Sequence, residues 1–183
     1  MNPDHFVKIF DIVESGFREW TFSAFGLLFV AAGIAGVLNP SLMPTRSQFI
    51  DARPVLRKYF YYTVLAFSVV WTVSAFVSTY SNHVRLKSIA MENRCRVVEG
   101  PVEHLEPMLR GGHGAETFSV KDVPFRLSDS NVNGGFNTTS LAGGPIKADS
   151  YVRICYAPDN NIILRLEIAE AKQPGQPSAA NTR

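Results

Sequence analysis

The chain has 183 residues, room for one soluble domain once membrane segments are subtracted. Its net charge of +2 and its scattered basic residues exclude a nucleic-acid partner. Two cysteines, Cys95 and Cys155, with no C-x-x-C, exclude both a zinc-type ligand spacing and a multi-bridge disulfide framework.

In chain order, residues 1–19 come first. Phe6, Ile9, Phe10, Val13 and Phe17 recur at helical spacing, which predicts an amphipathic N-terminal helix lying in the membrane interface. Its acidic leader and the absence of an A-x-A site argue against a cleaved signal peptide. Next, "WTFSAFGLLFVAAGIAGVL" at 20–38 and "YFYYTVLAFSVVWTVSAFVSTY" at 59–80 hold no formal charge. A helix needs ~20 apolar residues to cross the hydrocarbon of a bilayer, so 20–80 reads as a transmembrane hairpin. Trp20, Phe22, Tyr59, Tyr61, Tyr62 and Tyr80 mark its ends, where amphipathic rings favour the headgroup level. Ala32, Gly33, Ala35 and Gly36 form a small-residue face. Ser68, Thr72, Ala75 and Thr79 form a stripe whose hydroxyls can bond across a helix seam. Asp51 is placed to cap a helix beginning near Pro54.

Two spans put both ends of the chain on one side. Lys8, Arg18, Arg85, Lys87 and Arg94 flank that side, and Arg46, Arg53, Arg57 and Lys58 lie in the connection, so the positive-inside rule is nearly balanced. Loop length then decides: with the ends inside, only the connection of ~20 residues must cross. This reading places the C-terminal domain in the cytoplasm.

After a helical stalk at 81–93, the pattern turns to alternation. "CRVVEGPV" reads as a first strand, and "ETFSVKDVPFRL" reads as a hairpin turning at Lys121-Asp122. "YVRICY" and "IILRLEI" form a second hairpin around "APDNN". About five short strands in 94–170, with no convincing helix between them, predict a small five-stranded β-barrel of the OB or SH3-like kind. The predicted fold class is therefore a membrane α-hairpin plus an all-β domain. Residues 171–183 read as a disordered tail.

The long connection at 129–147, "SDSNVNGGFNTTSLAGGPI", is rich in glycine. No Lys follows a Gly-x-x-x-x-Gly frame, so a phosphate cradle is not expected. Phe136 is the only large apolar residue between Val132 and Leu141 and reads either as a loop anchor in the core or, if exposed, as an interaction residue. Polar candidates around a barrel rim are Glu103, His104, His113 and Asp129. Consecutive strand residues point to opposite faces, so Glu103 and His104 make a poor metal pair. No catalytic, cofactor or metal site is expected from these patterns. Cys95 and Cys155 face each other if the first and fourth strands pair, and a disulfide then depends on the compartment.

"VVEGPVEHLEPM", "ETFSV", "VPFRLSD", "GGFNTT", "GGPI", "YVRICY" and "ILRLEI", in that order, resemble a group of small uncharacterised bacterial proteins carrying a membrane hairpin and one β domain. The resemblance covers roughly residues 80–168. It implies a multi-pass protein of the bacterial inner membrane and brings no catalytic residue, cofactor or partner. The cysteines depart from the pattern of the group. Two functions follow as expectations. The first is a non-enzymatic, membrane-anchored β module that binds or scaffolds another membrane protein or a second copy of itself. The second is a ligand-binding or enzymatic barrel with a polar rim site.

Overall fold

The computed structural model describes residues 5–39, 53–108 and 114–170. His113, Asp51 and the 171–183 tail lie outside them. The chain divides into two units: a β unit of residues 1–12, 89–131 and 135–183, and a helical unit of residues 13–88 and 132–134.

Among the described residues the β unit contains seven strands. They are β1 (Phe6–Asp11), β2 (Arg96–Pro101), β3 (Glu103–Glu106), β4 (Glu116–Val120), β5 (Val123–Leu127), β6 (Tyr151–Tyr156) and β7 (Ile163–Ala169). A four-stranded sheet runs β1-β7-β6-β2 and a three-stranded sheet runs β3-β4-β5. Neighbouring strands are antiparallel throughout. This corrects the expected five-stranded barrel: the described strands form two sheets, with no closed barrel. Closure needs pairing between distant strands, which local alternation does not encode.

Alternation does set the faces. Val98 on β2, Phe118 and Val120 on β4, Phe125 and Leu127 on β5, Val152 and Ile154 on β6 and Leu166 on β7 all meet in one buried core. Each such side chain contributes roughly 1.5–3 kcal/mol by leaving water. The β4–β5 connection is the two-residue turn Lys121-Asp122, with φ of 45° and 65°. Two positive φ values mark a type I′ turn, whose twist matches the strands it joins. In the second hairpin Ala157 donates its N–H to Ile162, and Asn161 takes a positive φ of 53°.

The predicted N-terminal amphipathic helix is instead β1, and pairing explains why. Phe6 lies opposite Ala169, Lys8 opposite Glu167 and Phe10 opposite Leu166, with a register shift between Lys8 and Phe10. That bulge puts Phe6 and Phe10 on opposite faces. Phe10 packs on Phe136 with ring centroids 5.6 Å apart, while the Arg153 guanidinium lies 4.0 Å over the Phe6 ring. A segment this short gains little as an isolated helix, and the open edge of β7 offers it a ladder of hydrogen bonds.

The outward face of the larger sheet is laddered with charge. Glu99, Arg153, Glu167 and Lys8 occupy one row across four strands. Arg153 donates to Glu99 at 2.7 Å and to Glu167 at 3.3 Å, and Arg165 donates to Asp11 at 2.8 Å. The hydrogen bond to Glu99 holds the Arg153 guanidinium above its ordinary pKa, the neighbouring carboxylate charges add to this, and burial acts against it. Cys95 and Cys155 are joined in a disulfide with a Cα–Cα distance of 5.7 Å. Closing a chain separation of 60 residues constrains the unfolded state by roughly 4 kcal/mol on a loop-entropy basis.

The helical unit contains α1 (Trp20–Leu38) and most of α2 (Pro54–Met91). Both are long and apolar enough to cross a membrane. Only 22% and 17% of their most apolar windows are buried, unlike core helices of a soluble fold. Phe25, Leu28, Phe67 and Val70 are all more than half exposed. The helices meet where side chains are small. Ser23, Gly26, Gly33 and Gly36 are the buried residues of α1, and Tyr61, Ser68 and Thr72 are buried on α2. The α2 hydroxyls do not bridge the seam in the hydrogen bonds they make. Ser68 donates to Val64 and Thr72 to Ser68, one turn back in the same helix, at 2.8 and 2.7 Å.

Candidate functional site

The 129–147 connection is held by two carboxylates. Asp129 accepts the Thr139 N–H at 2.9 Å on one oxygen and the Thr139 hydroxyl at 2.7 Å on the other. Glu116 accepts both the N–H and the hydroxyl of Ser140 through Oε2, the former at 2.9 Å. Thr139 and Ser140 open the short 3-10 helix Ser140–Ala142, whose free N–H groups these carboxylates satisfy. Glu116 and Thr139 are fully buried. Glu116 Oε1 is buried as well and has no hydrogen-bond partner among the described residues. The sequence reading missed Glu116, yet a signal exists. Glu116 is in phase with Phe118 and Val120 on β4, so alternation alone directs it into the core.

Glycine completes the clamp. Gly143 ends the 3-10 helix at φ 85°, a left-handed conformation that a side chain disfavours. Gly144 passes so close to the Thr139 carbonyl that a Cβ would sit 2.7 Å from its oxygen, and at Gly135 a Cβ would sit 2.8 Å from the Ile163 oxygen. Phe136 is 8% exposed and belongs to the core, with its N–H bonded to Ile163 O at 3.0 Å. The tip of the connection, Val132–Gly134, belongs to the helical unit, where Asn82 of α2 donates to Asn133 O at 2.8 Å.

The rim candidates separate. Glu103 and His104 are exposed on β3. His104 takes a positive φ of 51° beside a register shift, which breaks simple alternation there. Its Nδ1 lies 3.1 Å from Ser119 Oγ, and Ser119 also donates to the Glu103 carbonyl at 3.4 Å. Asp129 follows β5, on the opposite edge of that three-stranded sheet. Two strand spacings, about 10 Å, separate the edges. Ser119 is also three residues along β4 from Glu116, which pairs with Leu127, adding about 10 Å along the strands. Glu103 and His104 therefore share no hydrogen-bonding point with Asp129. Among the described residues no three His, Cys, Asp or Glu side chains are grouped to hold a metal. The arrangement of Asp129 and Glu116 positions a loop.

The helical unit has its own polar pair, a buried histidine beside a half-buried glutamate. His83 on α2 lies with Nδ1 4.0 Å from Glu19 Oε2, and Phe17 meets the His83 ring at 5.5 Å. Glu19 occupies the N-cap position of α1 without capping it.

No protein-family model matches the chain, and neither a curated protein nor a solved structure matches it.

Proposed function

We propose that this is a multi-pass protein of the bacterial inner membrane whose β unit is a protein-interaction module anchored by the α1–α2 hairpin. The observation that carries the interaction half of the reading is the edge of the larger sheet. Among the described residues β1 pairs with β7 alone and lies at the edge of the sheet, and its Val7 and Ile9 are 43% and 41% exposed. An apolar edge strand is a template for a partner strand, because its backbone can extend the ladder and its side chains supply apolar area. The anchoring half rests on α1 and α2, whose exposed apolar side chains need a lipid environment. The partner is another membrane protein or a second copy of the chain.

A photo-crosslinking residue placed at Val7 or Ile9 in the full chain, irradiated in intact membranes, tests this. Discrete adducts at these positions, absent with the same probe at exposed Arg126 on β5, are expected. Equal capture at both places, or none at β1, would sink the edge-strand reading.

A further inference from the structure

Three features of the molecule bear on which side of a membrane the β unit works. The first is the disulfide. Cys155 lies on β6, 7% exposed, and Cys95 stands immediately before β2, the strand paired with β6. Strand pairing brings the two sulfurs together, so the bond forms wherever the compartment is oxidising. In a cytosol it is kept reduced.

The second is the threading of β1. It precedes α1 in the chain, yet it pairs along its length with β7, which follows α2. Strands of one sheet occupy one compartment, so an even number of crossings separates β1 from β7. Both apolar helices cross, or neither does.

The third is charge. With β1 folded into the sheet, a short stretch of sequence joins α1 to α2, and Arg46, Arg53, Arg57 and Lys58 lie in that stretch or at the start of α2. Basic residues hold short loops on the cytoplasmic side, whereas a folded domain translocates largely regardless of its charge. Of the basic residues on the other side, Lys8 is part of β1 and Arg94 belongs to the β unit, so both travel with the folded domain. The near-balance in the raw count therefore tips toward the connection.

We infer that the β unit faces the oxidising side of the membrane, the reverse of the cytoplasmic placement suggested by loop length, and that Cys95 and Cys155 are an oxidative modification site. The inference rests on the membrane hairpin of the reading above but not on its interaction edge. The reagent that installs the bond is a dithiol–disulfide oxidant of that compartment. One thiolate attacks the oxidant's disulfide, and the second displaces the resulting mixed disulfide. The two thiols lose two protons and two electrons, and the oxidant leaves as a dithiol.

The test uses the full chain in a bacterial host. Cells are quenched in acid and denatured, and free thiols are then tagged with a polyethylene-glycol maleimide. No tag without prior reduction and two tags after it are expected. Two tags without reduction would overturn the inference. Compartment is read separately in a Cys95→Ser/Cys155→Ser chain carrying Arg126→Cys, a position exposed on β5. A membrane-impermeant maleimide should label it in intact cells, and labelling only after permeabilisation would overturn the inference. This second readout reports side and not folding, so it stands even where loss of the disulfide loosens the domain. If neither helix is inserted, the chain will leave the membrane fraction on alkaline extraction, which overturns the hairpin itself.

Discussion

The α1–α2 seam and the clamped 129–147 connection both bring chain segments closer than a Cβ allows, and both use glycine there. What meets the glycine differs. Gly36 lies against the Tyr61 ring, and Gly26 lies against the side chains of Thr72 and Trp71. Relief there comes from shifting one helix slightly against the other. Gly144 meets the Thr139 carbonyl oxygen, already hydrogen-bonded to the N–H of Gly144 itself, and Gly135 meets, besides the Ile162 side chain, the Ile163 oxygen that accepts the Phe136 N–H. Those oxygens cannot retreat without breaking the structure that holds the loop. A glycine facing side chains sets how closely two helices pack, whereas a glycine facing carbonyls decides whether a loop forms at all.

The largest expected effect comes from removing the loop's anchor. Phe136→Ala should cost the β unit about 3–5 kcal/mol, because it empties a core site that packs on Phe10. A thermal melt of the full chain in mild detergent, followed by near-ultraviolet circular dichroism, measures it. A shift of only a degree or two would mean that the ring carries little of the core. A pair of glycine substitutions tests the contrast more sharply. Gly144→Ala should cost about 2–3 kcal/mol of β-unit stability, since overpacking against fixed atoms has no cheap relief. Gly36→Ala should cost the hairpin less, about 1 kcal/mol, the low end of overpacking, because the two helices can separate slightly. Equal losses would erase the distinction. The smallest effect concerns the seam hydroxyls. Thr72→Val should change resistance of the hairpin to dodecyl sulfate by less than about 0.5 kcal/mol, because the hydroxyl bonds its own helix. A loss of ~1.5 kcal/mol would reveal a bond across the seam instead.

Much of the β unit was readable from local pattern. β4 with β5, and β6 with β7, show clean alternation around identifiable turns, and β2 ends at Gly100-Pro101 as a bend would suggest. β1 was misread because a bulge at Ile9 makes a strand imitate helical spacing. Phe6 and Phe10, four apart, would share a helix face, whereas here they lie on opposite sides of a sheet. β3 is four residues long and includes His104 at positive φ, so it has almost no periodicity to detect. The clamp was half legible. Asp129 was singled out as a polar candidate and Phe136 as an anchor, but the two carboxylates act on Thr139 and Ser140, a relation that only tertiary structure creates. Glu116 was legible in principle, as a charge in an inward register. The pairing of Cys95 with Cys155 depended on β2 lying beside β6, a non-local fact.

The β1–β7 pairing has a consequence for the order of synthesis. β1 leaves the ribosome before both apolar helices, and β7 leaves it after them. Phe6 must wait for Ala169, so the larger sheet cannot gain its last strand until nearly all of the described chain has been made. In the proposed arrangement the wait is also spatial. A chain that inserts one helix and not the other strands β1 across the bilayer from its partner. The sheet then ends at β7, and Phe136 faces water where Phe10 should lie. Completion of the sheet thus records correct insertion of the hairpin, and a chain that fails at that step exposes the β7 edge and the Phe136 site that β1 otherwise covers.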